Sequence, residues 1–267
     1  MAEMTLIRAR TGLLDALQAL GTHRDAVVMV GAQALYSHTS HFKSAIAEFT
    51  LDVDLAFQPE LLTPSPLFEV ALTQAGFTPD VKGQPGRWIS PGGTPVDFMV
   101  PEKLSMKKKR SAGISPHAKN TARNTRGIEG CLVDNEFQLV RSLDSSDGRS
   151  YEISVAGPAS LLISKTIKIS ERLEERRNLL DKDAHDIYRL LSAVPISTFT
   201  LAFSKLTSHS LSKEITEIGL KQFEELFARG SEAEGSMRAG QAEFGIGNPD
   251  IVSQSVAFLA QDLLEAL

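Results

Sequence analysis

Asp52 and Asp54 stand two residues apart in Phe49-Thr50-Leu51-Asp52-Val53-Asp54-Leu55-Ala56-Phe57. The apolar and β-branched flanks predict a strand, and its period of two puts both carboxylates on one face. Like charges held side by side repel unless a cation sits between them, so the pair predicts a cradle for Mg²⁺. A third acid, Asp97, lies in Thr94-Pro95-Val96-Asp97-Phe98-Met99-Val100, and the two segments share the pattern apolar, acid, apolar. A carboxylate inside an apolar strand is costly without a partner. Two such strands predict one shared counter-charge, most simply a divalent ion with Asp52, Asp54 and Asp97 as ligands. Upstream, Gly31-Ala32 forms a small-residue turn ahead of a helix, where backbone N–H groups can approach a phosphate. Together these residues predict metal-assisted phosphoryl or nucleotidyl transfer. The competing reading of an Asp-x-Asp pair is a solvated face of an edge strand.

Two cationic features lie downstream. In residues 101–127, Lys103, Lys107, Lys108, Lys109, Arg110, Lys119, Arg123 and Arg126 stand against Glu102 alone. This basic loop has no interleaved aromatics, so it predicts phosphate attraction rather than base stacking, with a solvated loop as the alternative. Lys165 falls among Leu161, Leu162, Ile167 and Ile169 on a helix opened by Gly157-Pro158. A lysine half-buried there needs an anion, which an NTP phosphate or an aspartate would supply. Asp183 and Asp186, three residues apart on the next helix, share a face.

The elements that must position these groups follow from periodicity. Leu6 to Leu20 predicts an amphipathic helix ended by Gly21, and Ala26 to Val30 a buried strand. A short helix from Ala32 to about Tyr36 and a loop over 37–47, holding His38 and His41, lead to the Asp-x-Asp strand. A helix follows over Pro64–Gly76. Short strands come next at 77–78, 87–90 and 94–100, with Gly92-Gly93 a hairpin turn. Strands over 130–141 and 150–155 precede the Lys165 helix and its mixed-charge exit, Glu171 to Arg177. Asp181 is placed at the N-cap of the following helix. The chain continues as helices over 196–206, 212–229 and 249–267. The fold class is therefore α/β (α+β), a mixed sheet core with a C-terminal helical region. Domain limits fall at 1–155 and 156–267.

Of 267 residues, 33 are Asp or Glu and 28 are Lys or Arg, a net charge of −5 that argues against a general nucleic-acid coat. The single cysteine, Cys131, excludes an intramolecular disulfide and predicts a small core residue. No apolar run reaches the ~20 residues that span a bilayer, and Met1 to Arg10 has no following apolar region of a signal peptide. A cytoplasmic location is expected.

In order along the chain, Val30-Gly31-Ala32, Asp52-Val53-Asp54, Val96-Asp97-Phe98, Leu161-Leu162-Ile163-Ser164-Lys165 and Lys182-Asp183-Ala184-His185-Asp186-Ile187 resemble nucleotidyltransferase-fold proteins. The resemblance covers about residues 24–192. It is nearest to the toxin branch related to the abortive-infection AbiEii proteins and the mycobacterial MenT tRNA nucleotidyltransferases. In that family the turn is usually Gly-Ser or Gly-Gly, and its distance to the paired aspartates is shorter, with His38 to Ala47 as the apparent insertion here. The resemblance implies that Asp52, Asp54 and Asp97 hold Mg²⁺ and the NTP triphosphate. It implies that Lys165 contacts phosphate and that Asp186 or Asp183 completes the catalytic set. Gly31, Ala32, Lys165, Lys168 and Asp183 are then the nucleotide-binding residues, and Asp52, Asp54, Asp97, Lys165 and Asp186 the catalytic ones. The reaction implied is transfer of NMP from an NTP to a hydroxyl, with the tRNA 3′ end as acceptor and a cognate antitoxin protein as partner. AMPylation of a protein hydroxyl and a degenerate, non-catalytic nucleotide- or RNA-binding regulator are the alternatives. The NTP base, the choice of RNA or protein acceptor and the oligomeric state stay open.

Overall fold

The computed structural model describes residues 2–105, 110–175 and 181–267. Lys107, Lys108 and Lys109 of the basic segment, and Arg176 and Arg177 at the end of the expected helical exit, lie outside the described residues. The fold is α/β, a mixed sheet followed by a run of helices, and the chain divides into two compact units. One comprises residues 1–34, 48–126 and 135–156. The other comprises 35–47, 127–134 and 157–267.

The first unit begins with α1 (Ala2–Leu20), which buries Ala9, Leu13, Leu14, Ala16 and Leu17 and ends at Gly21, φ +53°, a left-handed stop. The strand β1 (Val27–Val30) runs straight into α2 (Gly31–Thr39). After β2 (Val53–Phe57) come α3 (Phe68–Gln74), β3 (Thr78–Pro79), β4 (Arg87–Ile89) and β5 (Pro95–Pro101). The sheet is completed by β6 (Ser111–Ala112), β7 (Ala122–Thr125), β8 (Asn135–Arg141) and β9 (Ser150–Ala156). Strand order is β3-β4-β5-β2-β1-β9-β8, with β7 continuing the β4 side of β5 and pairing with β6.

Register decides the two faces. Val53 pairs with Val96 and Leu55 with Phe98 across β2 and β5, while Trp88 of β4 pairs with Val96. That face is apolar. Phe57, Phe68 and Phe98 form a ring cluster, Phe57–Phe98 stacked at 5.4 Å and Phe68 edge-on to both at 4.9 and 4.8 Å. α1 lies against β2, β5 and α3. A Cβ at Gly12 would stand 2.7 Å from Thr94, so the helix can approach the start of β5 only with glycine there. The alternate residues Asp54, Ala56, Asp97 and Met99 face the other way.

The second unit holds α4 (Pro158–Glu174), α5 (Asp181–Ala193), α6 (Ile196–Ser208), α7 (Lys213–Phe223), α8 (Glu234–Gln241) and α9 (Pro249–Ala266). α4 opens on Gly157, where Asp134 accepts from Ser160 N at 3.0 Å and occupies the space a Cβ would need. Asp181 opens α5, and its carboxylate pairs with Arg238 at 3.0 Å. Cys131 is buried, and burial pushes its thiol up to about 12.

Several boundaries differ from the sequence expectation. The Asp-x-Asp strand begins at Val53, not Phe49, because Thr50 to Asp52 turn on their own side-chain hydrogen bonds. The helix expected to end near Tyr36 runs to Thr39, placing His38 on it, and His41 contacts the Ala193 carbonyl at 3.2 Å. The helix expected from Pro64 starts at Phe68, after Leu67 adopts extended backbone. The strand expected from Gly130 starts at Asn135. Gly130 sits instead in a short helical turn, where a Cβ would press on Leu206 and Ser160. The basic loop contains β6 and β7. The helix expected over 212–229 ends as a helix at Phe223 and continues as a wider turn, Glu224–Ala228. α8 carries too few apolar residues for periodicity to reveal it.

Acid sensitivity follows from two buried histidines. Burial lowers His117, whose Nδ1 accepts from Phe68 N at 3.1 Å and whose ring meets His23 at 5.5 Å. Burial also lowers His185, 3.0 Å from Glu243. A histidine depressed in the fold is protonated first in the unfolded chain, so stability drops as pH falls below about 6.5. The thermal midpoint is expected to be lower at about pH 5.5 than at about pH 7.5. His117→Asn, which cannot take up a proton, should narrow that difference.

Candidate active site

Three neighbouring strands assemble the site by register. Asp54 of β2 lies opposite Asp97 of β5, and Asp97 lies opposite Arg87 of β4. The three side chains therefore form a row on the face away from the phenylalanine cluster. Asp52 precedes β2 by one residue, and Thr50 Oγ1 donates to its Oδ1 at 2.9 Å. One carboxylate oxygen from each of Asp52, Asp54 and Asp97 lies within 4.8 Å of the others. The expected convergence of the three acids is present. A threonine clamp, rather than the pleat of a strand, aims Asp52.

Gly31 fixes the fourth side. Val30 pairs with Asp54, so the chain leaves β1 beside that carboxylate. Gly31 has φ +69°, and a Cβ there would stand 2.2 Å from Asp54 Oδ2. Only glycine fits, both for its backbone angle and for the space. The first turn of α2 has no intrahelical partners for its N–H groups, and Ala32 supplies no hydroxyl to cap them. Two residues on, Gln33 is buried. Its Oε1 accepts from Arg10 Nε at 2.9 Å, and its Nε2 has no hydrogen-bond partner.

The sequence reading missed the arginines. Arg87 grips Asp97 with both arms of its fork, Nε to Oδ1 at 2.8 Å and Nη2 to Oδ2 at 2.6 Å. Arg123 adds a contact to Oδ2 at 3.5 Å and bonds Met99 Sδ at 3.2 Å. The hydrogen bonds that Arg87 itself donates to Asp97, followed by the charges of Asp97, Asp52 and Asp54, hold its guanidinium above the ordinary arginine range against the opposing effect of burial. Gly86 makes this possible, since a Cβ there would overlap Phe98 O and Arg123 N where β4 gives way to β7. The only local signal was that Arg87 alternates with buried Trp88. The partner is ten residues away on another strand.

Three convergent carboxylate oxygens are hard ligands suited to a divalent cation that prefers oxygen. Gly31 lets the backbone pass directly beside the Asp54 carboxylate. The three carboxylates fit the metal the sequence implied.

A second ionic cluster belongs to the helical unit. Lys165 is 5% exposed and donates to Asp183 at 2.8 Å and to Asp186 at 2.7 Å. Of the two anions that could satisfy it, aspartate is the one present. Lys168 and Arg172 also reach Asp183, at 3.2 and 2.8 Å, and Lys182 reaches Asp186 at 3.1 Å. Burial alone would lower the Lys165 ammonium and raise the carboxylates. Their mutual attraction overturns both effects, leaving Lys165 raised and Asp183 and Asp186 lowered. The structure thus gathers the expected residues into two groups, one in each unit.

A family model described as Nucleotidyltransferase matches residues 8–206, about three-quarters of the chain. No curated protein and no solved structure matches it.

Two substitutions test these clusters. Gly31→Ala should lose ~1–3 kcal/mol of stability in urea unfolding, through backbone strain and contact with Asp54. Lys165→Met should cost ~3–5 kcal/mol because Asp183 and Asp186 stay buried with less compensation. A loss below about 1 kcal/mol would mean that the remaining cations already balance the pair.

Proposed function

Because the chain belongs to the nucleotidyltransferase family, we propose that it transfers NMP from an NTP to the 3′ hydroxyl of tRNA, releasing pyrophosphate, as the toxin of a toxin–antitoxin pair. That it is a nucleotidyltransferase enzyme rests on the family. The observation carrying the site assignment is the convergence of Asp52, Asp54 and Asp97 beside Gly31. In the proposed reaction Asp52, Asp54 and Asp97 would hold Mg²⁺, which when bound neutralises the triphosphate and activates the acceptor oxygen. Gly31 and Ala32, at the start of α2, would approach phosphate oxygens through their backbone N–H groups. Thr50 orients Asp52, and Arg87 orients Asp97. The acceptor hydroxyl gives up its proton to solvent as its oxygen bonds to the α-phosphorus, the bond to the β-phosphate oxygen breaks, and pyrophosphate leaves with the electron pair.

For the helical unit taken by itself, the proposal is a cationic surface that contacts phosphate. Lys168 is the most exposed of the four cations, Lys165, Lys168, Arg172 and Lys182, that contact Asp183 or Asp186. Asp186 and Asp183 hold Lys165 in place. For RNA the support is the basic segment, of which Lys103, Arg110, Lys119, Arg123 and Arg126 lie within the described residues. We assign the enzyme to the cytoplasm, with an antitoxin protein as its partner. Among the described residues no single helix is long and apolar enough to cross a membrane.

Incubation with each α-labelled NTP and total tRNA should move label to tRNA, and label on protein instead would favour AMPylation. Asp54→Ala should reduce transfer to background while the fold stays intact or gains slightly, because one of three repelling carboxylates is gone. Wild-type transfer in that variant would remove Asp54 from the mechanism. Replacing Lys107, Lys108, Lys109 and Arg110 by Ala should weaken tRNA binding. The log–log salt slope should fall by about 0.7–0.9 for each phosphate that these side chains no longer neutralise. An unchanged slope would leave the segment a solvated loop.

A further inference from the structure

The sheet ends at β8, far along the strand order from the carboxylate row. Seven residues of β8, Asn135–Arg141, pair with β9 in unbroken register, and no proline or glycine interrupts them. Among the described residues no strand lies on the far side of β8. The pairing decides which groups face that side. Ser142 N donates to Arg149 O and Gly157 N to Asp134 O, so the even-numbered residues of β8 bond to β9. Bonded positions alternate in an antiparallel ladder, so Phe137 and Leu139 direct their N–H and C=O groups away from β9. Arg141 has the same phase, and its carbonyl accepts from Arg10 at 3.0 Å. The side chains of Phe137 and Leu139 share one face and are 66% and 50% exposed. The other sheet ends are blunted: β3 is two residues long and contains Pro79, and β6 is also two residues long. A long apolar edge without such protection is a template for another strand.

We propose that β8 pairs with β8 of a second copy of this chain, antiparallel about a two-fold axis at Gln138, joining the two sheets edge to edge. An added strand satisfies a row of backbone donors and acceptors at this spacing. The strand's complementarity to itself selects a second copy as its occupant. A two-fold axis perpendicular to the sheet keeps each side chain on its own face and joins outward-directed residues to outward-directed residues. Centred on Gln138, it sets Phe137 of each copy opposite Leu139 of the other. Each such pair exchanges both of its N–H···O bonds, and the apolar side chains of both copies meet on one face. Moving the centre to Phe137 would set Leu139 opposite Asn135, and moving it to Leu139 would set Phe137 opposite Arg141. The Gln138 register is the one of these that matches both apolar residues. Charge agrees with the direction. Exposed Glu136 lies near the start of β8 and exposed Arg141 at its end. Antiparallel pairing brings these unlike ends together, where parallel pairing would set like beside like.

Analytical ultracentrifugation of the purified full-length chain over a series of micromolar concentrations reads the association. Wild type should move from the monomer mass toward twice that mass as concentration rises. Leu139→Lys, at an exposed position, should keep the circular dichroism of the fold and weaken dimerisation on the order of tenfold, because both cross-strand apolar pairs are lost in each dimer. Leu139→Pro deletes a donor that faces away from β9, and carries the same test should the lysine variant fail to fold. Cross-linking reads the register. Directly opposed residues of a non-hydrogen-bonded antiparallel pair have Cα atoms ~4.5 Å apart, close enough for a disulfide. Gln138→Cys should therefore give a disulfide-linked dimer under mild oxidation. Glu136→Cys, which this register sets opposite Val140, should not. Wild type, whose one cysteine is buried, is the control. A chain that stays monomeric at every concentration overturns the proposal, as does a dimer unchanged by folded Leu139→Lys or Leu139→Pro. A dimer that Gln138→Cys does not cross-link overturns it equally.

Discussion

Mutual repulsion among Asp52, Asp54 and Asp97 is the constraint around which the sheet unit is organised. Carboxylate oxygens within 4.8 Å of one another raise the energy of the fold unless positive charge is close. The sheet answers through register. Antiparallel pairing of β4 puts Arg87 opposite Asp97, and parallel pairing of β7 puts Arg123 two residues further along the same side of β5. The energy that sets this register comes from the opposite face. There the alternate residues Leu55, Phe57, Trp88, Val96 and Phe98 are buried beneath α1 and α3. A slip of one residue would bury Asp54 and Asp97 among phenylalanines and expose the rings, so the apolar face locks the charged one in place.

The helical unit solves a related problem differently. Around Lys165, Asp183 and Asp186, opposite charges are buried in direct contact, so the cluster needs no ligand to be stable. In the sheet unit, among the described residues, Gln33 Nε2 of α2 and Thr125 Oγ1 of β7 are buried without a hydrogen-bond partner. Groups left incompletely satisfied are where a protein has retained binding capacity for something else. The proposed assignment of reaction chemistry to the sheet cluster rests on the convergence of its three carboxylates.

Much of the sheet site was legible in the sequence because its signals are local. Asp52 and Asp54 two apart, the acid at the centre of Val96-Asp97-Phe98 and the glycine after Val30 each carry their meaning within a few residues. What stayed hidden depends on pairing at a distance. Arg87 and Arg123 appear in the sequence as one residue of a short strand and one member of a basic run, and only register shows that both serve Asp97. The Thr50–Asp52 turn was hidden for another reason. The apolar alternation of Phe49 to Phe57 resembles a strand throughout, and the side-chain hydrogen bonds that break it leave no periodic mark. Lys165 lay between these cases. Its need for an anion could be read from its apolar neighbours, whereas the identity of that anion required α5 to be placed beside α4.

Gly31 shows how tightly turn and triad depend on each other. A side chain at this position would meet Asp54, and a different residue at 54 would leave the left-handed turn without its neighbouring charge. The absence of a hydroxyl at Ala32 fits the same logic, since a capping side chain would occupy the N–H groups at the start of α2. Because Val30 pairs with Asp54, the turn into α2 and the carboxylate row are fixed by one strand register.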